Sequence, residues 1–320
     1  MTAPTQWVRV SPVGAVLVRD GRDLDMGGTL VSVLPAPSTL AGAVATATDD
    51  PRPQMALQSL AGPLLLDHQS RPHFPVPADV VRNRNRTGIL PRPDAPPATV
   101  PPDGDPVDGV LTSQDLRRYL HDGAAPAGPR ILELPVADER RVGLARDGRQ
   151  ARPGMLYSAG HLRLKEHWAF GMACHLSTGH RVHQRLVRLG GRGGYAMVEP
   201  LSTPVALPEV PETFPGGRLL VYLATPAQFA DGTAWCPPEA HQAGFACAGP
   251  QPIATAGRGG RATARLDWAV PAGTVFYLRF PTGQDAEVWA EAHHGTCLPG
   301  QRPELARTAG FGLALIGRWP

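Results

Sequence analysis

The 320 residues predict an α+β fold, and three observations carry that prediction. Short β-prone runs alternate with a few helix-compatible segments. Turn-formers are dense, with 36 Gly and 36 Pro, which excludes long bundles and coiled coils. Hydrophobic residues make up 42%, enough at this length for two ordinary cores.

Taken in order, residues 7–10 and 15–18 read as strand pieces followed by a polar turn. Pro37 disfavours helix at Ala36 and Ser38 is a good N-cap, so a helix is expected from Thr39 to about Thr48. Seven prolines between residues 91 and 107 mark an extended surface loop or linker rather than a core element. From Trp168 the alternation of Phe170, Met172, Cys174 and Leu176 predicts a half-buried strand. Residues 180–189 fit two patterns. Val182, Leu186 and Leu189 form a helical stripe, yet the segment could equally be the second arm of a hairpin. A glycine-rich loop and a strand over 195–199 follow.

A second unit begins near Gly217. Strands are expected at 219–223 and 275–280, a short helix at 303–309 with Pro at its start, and a closing strand at 313–319. Strand, helix, strands, helix, glycine loop and strand is the ferredoxin-like, split βαβ plan. The first unit reads the same way around its proline-rich insertion. The expected domains are therefore residues 1–206 and 215–320.

Charge is uneven. Residues 148–194 hold eight bases (Arg149, Arg152, Arg163, Lys165, Arg181, Arg185, Arg188 and Arg192) against Glu166 alone. That stretch carries +7 in a chain whose net charge is +3, the footprint expected for a polyanion. Lys165 is the single lysine, so an anion site here must use guanidinium groups or backbone amides. No apolar run reaches 18 residues and no signal peptide is evident, so a cytoplasmic chain that does not touch a membrane is expected. The four cysteines are widely spaced and read as reduced thiols.

Two glycine-rich loops carry the chemistry. Glycine lets the backbone approach a ligand closely, and consecutive amides can form an anion-binding concavity. The first loop is Gly190, Gly191, Arg192, Gly193 and Gly194, read as following a helix; the second holds Gly310 and Gly312. Neither matches a Walker A loop or a dinucleotide fingerprint, and no G-x-S-x-G nucleophile occurs. No cofactor is expected. His180 or His183, beside the arginines, could serve as a base in RNA cleavage. His175, Cys174, His293, His294 and Cys297 lack the paired spacing of a zinc site, and no metal is assigned. Tyr157, Trp168 and Phe311 could stack bases, although Trp168 and Phe311 fit a core better.

An ordered set of segments then resembles one family. The set comprises Arg19-Asp20-Gly21-Arg22, Pro37-Ser38-Thr39-Leu40-Ala41-Gly42, Gly62-Pro63-Leu64-Leu65 and Phe74-Pro75-Val76-Pro77-Ala78-Asp79. It continues with Glu139-Arg140-Arg141-Val142-Gly143, Gly154-Met155-Leu156-Tyr157, Leu189-Gly190-Gly191, Ala224-Thr225-Pro226, Val270-Pro271-Ala272-Gly273-Thr274-Val275 and Gly310-Phe311-Gly312. Together they resemble the third subunit of the Cmr module, of the RAMP superfamily, from type III-B CRISPR-Cas systems. The resemblance implies two ferredoxin-like, RNA-recognition-like domains and no nuclease activity. It implies a ribonucleoprotein subunit that holds the 5′ repeat-derived handle of the guide RNA. The implied protein partners are the large polymerase/cyclase-like subunit and a backbone RAMP subunit. RNA-backbone contact is carried onto both glycine loops, and RNA contact onto Arg19, Arg22, Thr39, Arg140, Arg141 and Arg163. The basic run adds Lys165, Arg181, Arg185 and Arg188. The alternative is a guide-RNA-processing endoribonuclease of the same superfamily using His180 or His183.

Overall fold

The computed structural model describes residues 5–18, 29–30, 32–49, 56–83, 86–90, 93, 104–122, 131–191, 193–230, 232, 234–255, 265–301 and 309–319. Within them the fold is α+β, with mostly antiparallel sheets and three helices. None of these helices is long and apolar enough to cross a membrane.

The first sheet has seven strands. Across it run β12 (Arg185–Arg188), β13 (Tyr195–Pro200), β1 (Thr5–Pro12), β11 (Ala169–Leu176), β3 (Leu57–Leu66), β4 (Pro72–Pro75) and β8 (Val110–Thr112), each antiparallel to its neighbour. Helix α1 (Pro37–Thr46) packs Leu40 and Val44 against Val8, Val10, Met172 and Cys174 on one face. Side chains alternate between faces along a strand. The opposite face presents Trp7, Leu64, Leu66 and Ala173.

The second sheet receives that opposite face. Its order is β15 (His241–Ala246), β18 (Val275–Arg279), β14 (Arg218–Leu223), β20 (Leu313–Arg318) and β19 (Thr296–Cys297), again antiparallel throughout. Leu220, Tyr222, Tyr277 and Leu315 meet the first sheet. Leu219, Val221, Phe276 and Ile316 point away, onto Ala286, Trp289 and Ala290 of α3 (Gly283–His293). The layers therefore run helix, sheet, sheet, helix. Helix α2 (Ser113–Asp122) contributes Leu116, Tyr119 and Leu120 to the layer between the sheets.

One strand order occurs in both sheets. In the first, β13, β1, β11 and β3 lie side by side. Counted along the chain, these are the fourth, first, third and second of the set. In the second, β20, β14, β18 and β15 repeat that sequence.

Three smaller assemblies occur among the described residues. The long hairpin of β9 (Val136–Asp147) and β10 (Gln150–Leu164) is joined in parallel by β2 (Thr29–Leu30). Strand β5 (Val80–Asn83) pairs with β6 (Arg86–Ile89) and with β7 (Asp105–Pro106). Strands β16 (Gln251–Thr255) and β17 (Arg265–Ala269) form a ribbon.

Several expectations need correction. Helix α1 begins two residues early, at Pro37, with Ala36 in the cap position and no side-chain cap. Proline at the first helical position has the right φ and no N–H to satisfy, so Ser38 is not needed as a cap. Residues 15–18 form isolated bridges from Val16 and Leu17 instead of a strand. Strand β11 is buried on both faces because the second sheet covers the side opposite α1. Residues 185–188 are a hairpin strand; the helical stripe fails because Leu186 is 53% exposed while Val187 is buried. The first unit therefore has no helix before its glycine loop. Part of the proline-rich stretch, Asp105–Pro106, pairs as a strand, although much of that stretch and the expected helix at 303–309 fall outside the described residues, Ala309 excepted.

Candidate nucleic-acid interface

The 190–194 loop is the turn of the β12–β13 hairpin. Leu189 is buried and donates its N–H to Gly194 O at 2.9 Å, closing the turn. Gly190 has φ +71° and Gly193 φ +79°. A Cβ on Gly190 would press on Leu17 O, and one on Gly194 on Leu189 O, whereas one on Gly193 would meet open space. Close packing demands glycine at the loop base, and the backbone conformation demands it at the tip. The amides are not all free to cradle an anion. Gly191 N–H donates to Leu17 O (2.8 Å) and Gly194 N–H to Gly191 O (3.3 Å). Gly190, Gly191 and Gly193 remain exposed, and Arg192 lies outside the described residues.

Leu17 links this loop to the long hairpin. Val16 and Leu162 exchange backbone hydrogen bonds of 2.8 Å in both directions. Ser32 Oγ donates to Gly160 O (2.8 Å) and accepts from Val18 N–H (3.2 Å). The loop, residues 16–18 and the base of the β9–β10 arm are thus one stitched surface. Tyr157 lies over Gly143 across the arm, where a Cβ would collide with its ring.

The arm carries arginines on both faces. Arg140 is exposed beside Val142 and Leu144 and makes no ion pair with a described residue. Arg141 and Arg163 converge on Glu139. Arg163 bonds Glu139 Oε2 at 2.9 and 2.6 Å, and Arg141 bonds Oε1 at 2.8 and 2.6 Å. Those bonds, from Arg163 first and Arg141 second, hold the carboxyl below its ordinary range. Lys165 Nζ lies 3.5 Å from Glu133. Acids N-terminal to the basic stretch therefore neutralise part of its charge.

The other candidates disperse. Arg185 donates to Thr46 O at 3.1 Å, satisfying a carbonyl at the negative end of α1. Arg181 and Arg188 are exposed. Thr39 is half-buried in the first turn of α1, its N–H donating to Ala36 O at 2.9 Å. Arg19 and Arg22 lie outside the described residues. Asp49 bridges two imidazoles, with His180 Nδ1 at 3.2 Å and His183 Nε2 at 3.5 Å.

The second glycine bend has a packing role. Gly310 and Gly312 are buried; a Cβ on the first would strike Gly62 O and on the second the Gln301 side chain. Gly312 N–H donates to Pro226 O (2.7 Å), and Thr225 Oγ1 donates to Gly310 O (2.9 Å). Phe311 is buried between them. This bend joins the two halves and presents no open backbone, so it is left out of the interface proposed below. The residues weighed as metal ligands are also spent elsewhere. Cys174 is buried, His293 stacks on Trp289, Cys297 faces Leu60 O, and His294 bonds Pro208 O. Among the described residues no group of three or more His, Cys, Asp or Glu could hold a metal ion.

Residues 8–319 match the model of the family described as CRISPR-associated protein (Cas_Cmr3). The chain belongs to the Cmr3 family. No curated protein matches it by sequence. Solved structures contain chains of similar fold, two of them Cmr-beta assemblies. One is the Type III-B Cmr-beta bound to cognate target RNA, the other the same assembly with target RNA and AMPPnP, state 1. In each case identity is 13%, the TM-score is 0.51, and the match covers 85% of this chain and 86% of the other. At that identity the likeness concerns the fold. Two features of this Cmr3-family chain escaped the sequence reading. Glu139 sits inside the quoted Glu139-Arg140-Arg141 motif, but its grip on Arg163 needs the hairpin register. Tyr195 opens a strand in sequence, and only the pairing shows that it stands opposite Arg188.

Proposed function

We propose that this chain is a non-catalytic, RNA-binding scaffold subunit of a type III-B CRISPR effector. It holds the 5′ repeat-derived handle of the guide RNA and docks the large polymerase/cyclase-like subunit onto the backbone filament of RAMP subunits. The observation that carries the reading is the exposed glycines Gly190, Gly191 and Gly193, joined through Leu17 and Val16 to an arm that bears Arg140, Arg141 and Arg163. A single strand is gripped by guanidinium groups on its phosphates while its bases are splayed on protein surfaces. Division into ferredoxin-like domains at 1–206 and 215–320 is part of this reading. The repeated fourth-first-third-second strand order supports it, with one helix of each plan replaced by other structure.

The test is binding of the recombinant protein, alone and with its large subunit, to RNA bearing the repeat tag. A stable complex that returns the RNA intact is expected; failure to bind in either setting defeats the reading. A second reading, RNA cleavage with His180 or His183 as base, rests on the carboxylate of Asp49 bridging both imidazoles. Metal-free incubation with repeat RNA separates the two, because only the enzyme would shorten it.

A further inference from the structure

The β12–β13 hairpin has two unlike faces. Val187, Ala196 and Val198 are buried against the α1 layer. Residues directly opposite in an antiparallel pair share a face. Arg188 stands opposite Tyr195, and Leu186 opposite Met197, so these four form one block on the outer face. Leu186 is 53% exposed and Tyr195 40%. Val13, whose N–H bonds Tyr195 O at 2.8 Å, is 61% exposed beside them. Arginines on an edge strand can serve only to deter pairing with another chain. That accounts for Arg188 but not for an aromatic ring and two aliphatic side chains left in water. The acid on this face, Glu199, accepts from Gln184 Nε2 at 2.9 Å, and Arg188 makes no ion pair with a described residue. The turn of the same hairpin is the 190–194 loop.

We propose that this outer face seats one unpaired base of the bound RNA, with Tyr195 supplying the stacking ring and Arg188 meeting the adjoining phosphate. The inference rests on the RNA-holding reading and adds to it the residue that reads a base by its π-face. A ring of this kind is sequence-tolerant, so the seat fixes the path of the strand more than its sequence.

The test uses the full chain and short single-stranded RNAs of the repeat-derived sequence, each carrying 2-aminopurine at one position. Wild type should quench the fluorescence at one position, and Tyr195→Phe should keep that quenching. Tyr195→Ala should lose it and bind roughly 5- to 150-fold more weakly, the range expected for one stacked base. Arg188→Ala should flatten the slope of log affinity against log salt by about 0.7, one phosphate on a single strand. Tyr195 is exposed, so an unchanged thermal midpoint in Tyr195→Ala confirms that folding is intact. If wild type binds and Tyr195→Ala matches it in affinity and quenching, the base seat is overturned while the RNA-holding reading stands. If Tyr195→Ala weakens only RNA-free assembly with the large subunit, the face is a protein contact and the inference fails. No RNA binding by wild type, alone or assembled, overturns both.

Discussion

Replacing Gly193 with alanine should cost only what the left-handed backbone charges a side chain, about 1–2 kcal/mol, because the new methyl meets open space. Gly190→Ala should cost more, since the same conformation is joined by a collision with Leu17 O. Urea midpoints at constant slope would rank the two, and equal losses would contradict the packing of the loop base on Leu17. The glycine run was plain in the sequence, but the purpose of each glycine was not. Gly190 and Gly310 look alike on paper; one touches Leu17 at the surface and the other Gly62 in the interior. His294 offers a second measurement. Its Nδ1 accepts from Ile316 N–H (3.0 Å), so its Nε2–H donates to Pro208 O (2.7 Å). Burial, the larger effect, pushes its pKa below the ordinary 6.5. The unfolded chain then takes up a proton that the folded chain refuses. This contribution to stability is complete above about pH 6.5 and declines as pH falls towards the lowered folded value. His294→Gln should flatten the acid side of the stability profile, measured as thermal midpoint against pH. His73, also lowered by burial, would keep some slope.

At the scale of the element, the β9–β10 arm presents a competition. Glu139 occupies two guanidinium groups that a phosphate would otherwise engage. Glu139→Gln removes the charge that holds them. RNA affinity at low salt should rise, and the salt dependence should steepen by up to about 1.4 in log–log slope, two phosphates on a single strand. Unchanged affinity and slope would mean that Arg141 and Arg163 serve the arm alone. The elements themselves were unevenly legible. Strand β11 announced itself by its alternation from Trp168, and β14, β18 and β20 as short apolar runs. Residues 180–189 did not, because Val182, Val187 and Leu189 are buried in an order that both periods half fit. What decides in favour of a strand is pairing with Tyr195–Pro200, a tertiary fact. The arm was missed as a unit for a related reason. Strand β9 is largely exposed, and β10 buries Ala159 to Leu162 as one unbroken run, so no alternation with a core marks either.

At the scale of the whole molecule, two sheets meet face to face, and one buried carboxylate ties them. Asp79 is fully buried in the segment that precedes β5. Tyr277 of the second sheet donates its hydroxyl to Asp79 Oδ2 at 2.6 Å, and Tyr119 of α2 places its hydroxyl 2.9 and 2.8 Å from the two oxygens. Backbone contacts reinforce the junction, with Ala78 N–H donating to Gly273 O (2.8 Å) and Tyr222 Oη donating to Pro75 O (2.6 Å). The motif Phe74-Pro75-Val76-Pro77-Ala78-Asp79 was visible in sequence, yet its partner is a tyrosine nearly 200 residues away, which no local pattern can reveal. Asp79→Ala would remove the carboxyl group that both buried hydroxyls bond. Each such hydrogen bond contributes about 0.5–1.5 kcal/mol, so the loss should be on the order of 2 kcal/mol. Removing the donors separately, as Tyr119→Phe and Tyr277→Phe, should cost less in each case. The double variant should depart from additivity, because both act on one carboxylate. If the two halves unfold together only through this junction, calorimetry of Asp79→Ala should resolve one transition into two. A single unshifted transition would show that the apolar layer of Trp7, Leu66, Leu220 and Leu315 holds the sheets together without it.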